Sequence, residues 1–179
     1  TGRREWEWIS PTGKGVRIRT TRMVSFAQRA VAAISFEVEP IDQSTRIVLQ
    51  SILVANEPLP DGDGDDPRGG AEIPTSLICE YHAHRGLEAS LGHRTEYSDL
   101  LMAAAMDHTY DGPAGTLASS ESEVDLARVT FSTDLEPGQR LRVVKFLGYG
   151  WSGIRSMPAL RDQVDAALSA AKRSGWEGL

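Results

Sequence analysis

Apolar and polar residues alternate along most of the first two thirds of the chain, which is the period of a strand that buries one face. Val16–Arg19 and Ala30–Pro40 alternate in this way, whereas Arg46–Ala55 is apolar on both faces and is predicted to be covered on both sides. A short turn separates the last two runs, so they are predicted to form a hairpin. Further strands are predicted at Thr75–His84, His93–Tyr97, Leu101–His108, Thr116–Ser119, Asp125–Asp134 and Gln139–Tyr149.

The alternation within Ala30–Pro40 fixes which side chains should face the core. Phe36 and Val38 are predicted to be buried, with Glu37 and Glu39 on the solvent side. Between the last two predicted strands, Pro137-Gly138 marks a tight reversal.

Helical periodicity occurs only near the end of the chain. Ser156 is a suitable N-cap, and Pro158 lies in the first turn. An apolar stripe then recurs at three- and four-residue spacing, at Leu160, Val164, Ala167, Leu168 and Ala171. The pattern predicts one amphipathic helix that ends at Gly175.

The segment 58–70 is dense in Gly, Pro and Asp and predicts no regular element. Its acidic residues invite comparison with a calcium-binding loop. The order of that motif fails, because Gly64 stands where an acid is needed and Asp66 where the glycine belongs. A solvated loop is therefore the favoured interpretation.

Composition and charge narrow the class of protein. The 179 residues fit one domain, and the net charge of −6 argues against nucleic acid or an anionic membrane as the main partner. The single cysteine, Cys79, excludes an intrachain disulfide and favours a reducing compartment, so we expect a cytoplasmic protein with an inert, buried thiol. The chain begins without Met at Thr1, and we expect it to be a fragment of a longer product.

Four histidines are the candidate metal ligands. His82 and His84 lie on one face of a predicted strand, and a third ligand would come from His93 or His108 through folding. The favoured alternative is that all four lie at strand ends in contact with solvent, so no metal site is predicted.

Carboxylates and tryptophans are the remaining candidates for carbohydrate chemistry. Glycoside cleavage needs two carboxyl groups across the bond, or one acid and an external nucleophile such as phosphate. No carboxylate lies in a pattern that predicts a raised pKa, so none is assigned as catalytic; the candidates are Glu37, Glu39, Glu57, Glu80, Glu121 and Glu123. Tryptophans could stack on sugar rings, although burial or interface packing is favoured for Trp6, Trp8, Trp151 and Trp176.

Four segments resemble one enzyme family. They are Arg22–Phe26, Arg29–Val38, Leu53–Pro58 and Lys145–Ser152. Together they resemble the N-terminal domain of the family 65 glycoside hydrolases and phosphorylases, which include maltose, trehalose and kojibiose phosphorylases and trehalose hydrolases. The resemblance covers most of the chain and carries no catalytic signature.

The resemblance implies a mainly β fold, a galactose-mutarotase-like β-sandwich (supersandwich) with a C-terminal α-helix. Residues 1–155 would form the sandwich, and residues 156–179 the helix and the start of a linker to an (α/α)6 catalytic barrel. In that family the general acid and the phosphate site belong to the barrel. We therefore expect no catalytic, cofactor-binding or metal-binding residue in this chain, with inorganic phosphate a co-substrate only of the parent enzyme.

Two other functions remain open, a free carbohydrate-binding module and a stand-alone mutarotase-like enzyme that uses His and Glu. If a barrel normally covers the helix, its stripe around Leu160, Val164, Leu168 and Trp176 should be partly exposed here. Missing early strands would also leave a free sheet edge. We therefore expect the chain to form a homodimer through the helix or that edge.

Overall fold

The computed structural model describes residues 1–26, 28–57 and 76–179. In this part of the chain the fold is mainly β, with one long helix (α1) and a short 3₁₀ helix at the end. The strands are β1 (Gly2–Ile9), β2 (Gly15–Val24), β3 (Val31–Pro40), β4 (Thr45–Val54), β5 (Leu77–Arg85), β6 (Glu88–Thr95), β7 (Leu101–Asp111), β8 (Leu117–Glu123), β9 (Leu126–Leu135) and β10 (Leu141–Ser152). The helices are α1 (Met157–Ser174) and the 3₁₀ turn Trp176–Gly178.

Two antiparallel sheets form a sandwich. The larger sheet has the order β1-β2-β3-β10-β7-β6-β5, and the smaller sheet has the order β4-β9-β8. The core lies between the sheets and is built from alternate residues of their facing strands, as the period-two pattern predicts. Its buried members include Val16, Val38, Leu91, Met106, Val129, Phe131, Leu135, Leu141 and Val143.

The hairpin predicted from Ala30–Pro40 and Arg46–Ala55 is wrong. β3 pairs with β2 and β10, whereas β4 pairs with β9 in the other sheet. The connection crosses the sandwich, so adjacency in sequence did not lead to pairing. β4 is also a terminal strand with only one face in the core, and Val48 on its other face is 58% exposed. The prediction that this strand is covered on both sides is therefore also wrong.

The turn at Pro137-Gly138 is confirmed. The amide of Gln139 donates to the carbonyl of Glu136, and Gly138 has a φ of 87°, a region that favours glycine. The turn takes the chain from β9 in the small sheet to β10 in the large one. The segment 58–70, with its predicted loop and rejected calcium motif, lies outside the described residues.

Helix α1 packs on the outer face of the large sheet, over β7 and β10. Leu160, Val164, Leu168 and Ala171 are buried there, which confirms the predicted stripe. Gly148 on β10 permits the close approach, since a Cβ at that position would lie 3.2 Å from the Val164 carbonyl oxygen. The expectation of partial exposure is wrong for Leu160, Val164 and Leu168, because the chain's own sheet covers them, whereas Trp176 is only partly buried. These three side chains are therefore not available for contact with another chain.

The register predicted for β3 is confirmed in part. Val38 is buried in the sandwich core, and Phe36 is only partly buried beside it. Glu37 and Glu39 are on the opposite face, but they are half-buried in ion pairs rather than fully exposed. Glu39 contacts Arg17 on β2, and Glu37 contacts Arg142 on β10. Cross-strand charge pairs therefore cover the part of this face that the helix does not reach.

Candidate functional site

Histidines of the large sheet contact polar groups of the small sheet. The register places their side chains on the inner face, together with core residues such as Leu91 and Met106. Each reaches a side chain on β4, on β8 or at the turn between β8 and β9, and the four are His82, His84, His93 and His108. The interpretation that all four lie at strand ends in solvent is wrong, since His93 and His108 are buried.

His108 is the most deeply buried of these groups, with 1% of its surface exposed. Its Nε2 lies 2.7 Å from the Ser51 hydroxyl, and its Nδ1 lies 2.8 Å from the Leu87 carbonyl oxygen. Nδ1 therefore donates to the carbonyl, and neutral Nε2 accepts from the serine. Burial lowers the pKa of His108 to about 4, with nearby Lys145 acting in the same direction. The ring also packs edge-on against Phe131, which closes this serine–histidine pair to any substrate.

Lys145 makes a further polar contact between the sheets. Its ammonium donates to the carbonyl of Ile52 on β4, at 2.7 Å. Burial between the sheets lowers the pKa of this lysine to about 8. The residue therefore caps a backbone acceptor of the small sheet, which is a structural role.

His93 and Asp125 form the best-defined polar cluster. The Nε2 atom of His93 lies 2.7 Å from the Asp125 Oδ1 atom. The Asn56 amide donates to the other Asp125 oxygen at 2.8 Å and to the Leu77 carbonyl at 2.7 Å. Burial of the Asp125 carboxyl opposes ionisation, but the hydrogen bonds from Asn56 and His93 outweigh it and lower its pKa. Among the described residues, Cys79, His93 and Asp125 are the group whose ligand atoms all come within 4.8 Å of one another.

His82 and His84 do not join that cluster. Both have Nδ1 within hydrogen-bond distance of the Ser122 hydroxyl on β8, at 3.2 and 3.0 Å, and both are exposed. The trio considered from sequence, with His93 or His108 as a third ligand to this pair, is therefore not assembled.

The carboxylates considered from sequence serve mainly in ion pairs. Four of them contact arginines across neighbouring strands: Glu37 with Arg142, Glu39 with Arg17 and Arg19, Glu80 with Arg94, and Glu121 with Arg128. Glu57 and Glu123 lie on exposed positions.

Two carboxyl groups that sequence reasoning missed have raised pKa values. Glu88 on β6 and Asp165 on α1 line a surface cavity of about 280 Å³, together with Tyr81, Ser90 and Arg161. Burial is the main cause of the raised pKa of each, and for Glu88 the negative charge of Asp165 adds to it. The two lie far apart in sequence, so only the docking of the helix brings them together. Among the described residues, these are the two carboxyl groups with raised pKa values that share one cavity, as a general acid would require.

Aromatic side chains remain exposed where the small sheet does not cover the large one. Trp6 and Trp8 pair with core residues Ile18 and Val16, so they lie on the inner face, yet Trp8 is 52% exposed. Trp151 at the end of β10 is 65% exposed. Burial or interface packing is predicted for these tryptophans; among the described residues Trp176 packs against a core, and interface packing of the other three stays a prediction.

The observed architecture defines a class of protein, a two-sheet β-sandwich with a helix docked on its larger sheet. Its described polar groups mostly join strands and sheets. In the described residues, no helix has the length and apolarity that a membrane span needs.

The chain belongs to the glycosyl hydrolase family 65, N-terminal domain, whose family model matches residues 1–179. Uncharacterised glycosyl hydrolases of Mycobacterium tuberculosis and Mycobacterium leprae are each 46% identical over 176 residues, which is 98% of this chain and 22% of each relative. An α,α-trehalose phosphorylase of Thermoanaerobacter brockii is 26% identical over 175 residues, covering 97% of the chain and 22% of that relative.

A solved structure supports the fold. A protein from the human microbiome, assigned as a kojibiose phosphorylase, superposes with a TM-score of 0.80 at 15% identity, covering 98% of this chain and 21% of that one. The chain therefore spans about a fifth of the length of the proteins that it matches. The resemblance drawn from sequence, and the β-sandwich that it implies, are both confirmed.

Proposed function

We propose that this chain is the non-catalytic N-terminal β-sandwich of a larger family 65 enzyme that cleaves α-linked glucose disaccharides such as trehalose, maltose or kojibiose. The observation that carries the proposal is the match of the whole chain to the family's N-terminal domain and to about 22% of each relative. The chemistry would then belong to the rest of the protein, an (α/α)6 barrel beyond the helix and the start of the linker in residues 156–179.

The contacts of the ionisable side chains support a structural role. His108 and Lys145 lie between the sheets, and Lys172 of the helix donates to Asp107 of β7 at 2.5 Å. A residue that acts in catalysis must reach a bound substrate, whereas these contacts join one element of the sandwich to another.

The activity of the purified chain tests this proposal. We expect no release of glucose or glucose 1-phosphate from trehalose, maltose or kojibiose, with or without inorganic phosphate, while circular dichroism shows a folded β protein. Glu88→Gln is the matched variant, because Glu88 has the raised pKa that a stand-alone mutarotase-like or hydrolytic enzyme would need. Robust turnover by the chain that is lost in Glu88→Gln would refute the proposal.

Carbohydrate binding is a second candidate function. Exposed Trp6, Trp8 and Trp151 offer flat apolar faces on which a sugar ring can stack. Calorimetric titration with maltose and trehalose separates the two functions. Binding that disappears in Trp8→Ala and survives in Phe26→Ala, a control at another exposed aromatic, would favour the binding module.

The proposed partners are the enzyme's own barrel and a second copy of the chain. The terminal strands β1 and β4 each pair on one side only within the described residues, and such edges can pair with another chain. The charge of −6 gives no reason to add nucleic acid or membrane as a partner, and the single cysteine favours the cytoplasm. Sedimentation at rising concentration tests the homodimer, and a strictly monomeric chain would contradict it.

A further inference from the structure

We propose that Cys79, His93 and Asp125 bind a divalent zinc-type ion at the end of the sandwich where β5 and β6 meet the turn between β8 and β9. The cysteine sulfur, a ring nitrogen of the histidine and a carboxylate oxygen lie within 4.8 Å of one another. Thiolate, imidazole and carboxylate are the ligand types that Zn²⁺ accepts, and three of them leave a fourth position for water.

A bulge in β5 brings the cysteine to this side of the sheet. Cys79 lies directly opposite His93 in the register, but the pairing shifts before Tyr81, which lies opposite Gly92. Directly opposite residues of an antiparallel pair point to the same face, so the thiol joins His93 on the inner face. Without the shift, strict alternation would place Cys79 on the same face as Tyr81, against the helix.

The aspartate is held in place by its own set of contacts. Asp125 has a φ of 64° and Asn56 a φ of 52°, both in the left-handed region. The Asp125 carbonyl accepts from the Ala55 amide at 2.8 Å, while the Asn56 amide holds Oδ2. Oδ1 is left facing His93. Such outer hydrogen bonds orient a ligand before the ion arrives.

Binding requires one rearrangement. Ligand atoms around a tetrahedral zinc ion are separated by about 3.3–3.8 Å, which follows from bond lengths of about 2.0–2.3 Å. The present separation between His93 Nε2 and Asp125 Oδ1 is 2.7 Å, so the ion replaces this hydrogen bond and opens the nitrogen–oxygen separation by roughly 0.6 Å. The lone pairs come from the thiolate, the carboxylate and Nε2 of His93, whose hydrogen now bonded to Asp125 must leave Nε2, so that the neutral ring carries its proton on Nδ1 when the ion binds. The thiol proton is released to solvent.

Titration of the tag-free, reduced chain with Co²⁺ tests the site. We expect visible bands of tetrahedral cobalt together with a near-ultraviolet sulfur-to-cobalt charge-transfer band, both displaced by one equivalent of Zn²⁺. Cys79→Ser, a change of one atom, should abolish the charge-transfer band and weaken Co²⁺ binding at least tenfold, because a thiolate ligand is lost. Asn56→Ala should weaken binding by roughly 10–100-fold through loss of an outer hydrogen bond.

The exposed pair His82 and His84 supplies the control. His84→Gln should leave the cobalt spectrum unchanged, because this histidine contacts Ser122 rather than the cluster. A folded chain without a sulfur band at saturating Co²⁺ would overturn the proposal. Cobalt binding that survives Cys79→Ser but is lost in His84→Gln would equally overturn it, since the ion would then occupy the exposed pair. Neither result depends on catalysis by the parent enzyme.

Discussion

Burial of neutral His108 between the sheets makes the stability of the sandwich depend on pH. The pKa falls from 6.5 to about 4 on folding, so in this interval the unfolded chain holds a proton that the native chain does not. The contribution of the neutral His108 ring to the free energy of unfolding is therefore fully present above pH 6.5. This contribution is lost as the pH falls through 6.5 towards 4. The shift corresponds to about 3 kcal/mol, of which about 2 kcal/mol is already lost at pH 5.

The free energy of unfolding should be measured by urea denaturation from pH 5 to pH 8, for the chain and for His108→Gln. The variant loses its contacts to Ser51 and Leu87, so it is less stable at pH 8. It also lacks the titrating group, so the gap between the two proteins should narrow by about 2 kcal/mol between pH 8 and pH 5.

His84→Gln is the matched control for this experiment. It removes an exposed histidine that contacts the small sheet through Ser122, and it leaves the buried ring in place. Its pH dependence should follow that of the unchanged chain. A constant gap between His108→Gln and the unchanged chain over pH 5–8 would refute the reasoning, because His108 would then titrate alike in both states.

Three further changes test the packing and the cavity. Phe131→Ala empties a fully buried site in the sandwich core and should lower the free energy of unfolding, measured by urea denaturation, by about 3–5 kcal/mol. The control Phe26→Ala, at a 99% exposed side chain, should cost under ~0.5 kcal/mol, and equal costs would contradict the burial of Phe131 in the core. Gly148→Ala places a methyl group against the helix backbone and should lower the free energy of unfolding by about 1–3 kcal/mol. In the control Gly153→Ala the added methyl group meets no atom within 4 Å, and an unchanged stability of Gly148→Ala would contradict the helix docking. Glu88→Gln should raise the melting temperature increasingly as the pH rises from 4 to 7, because a carboxyl with a raised pKa loses stability as it ionises; a constant difference would contradict that pKa.

Local patterns predicted the elements better than their partners. Alternation located strands such as β3, and the stripe of Leu160 and Val164 located the helix and its buried side. The pairing of β3 with β10 joins residues about a hundred positions apart, which no local pattern encodes. The predicted hairpin failed for that reason, since a turn signal does not say whether the chain stays in one sheet.

The polar clusters were hidden for a similar reason. Glu88 and Asp165 line one cavity only because the helix docks over the large sheet. No local sequence pattern therefore predicts the raised pKa values of these two carboxyl groups. Cys79 reaches His93 through a register shift that alternation does not predict. Glu37 and Glu39 are prominent in the sequence as two acids on one strand face, but both form ion pairs with arginines of neighbouring strands.

The kinetics of the proposed full-length enzyme test the central claim most directly. The double variant Glu88→Gln/Asp165→Asn removes both cavity carboxyl groups with raised pKa values while keeping their shapes. The account predicts that kcat for phosphorolysis or hydrolysis of the enzyme's disaccharide stays within about twofold of the unchanged protein, because the chemistry lies outside this sandwich. A fall in kcat of about 100-fold or more without a fall in melting temperature would contradict it, since that is the loss expected when a general acid is removed.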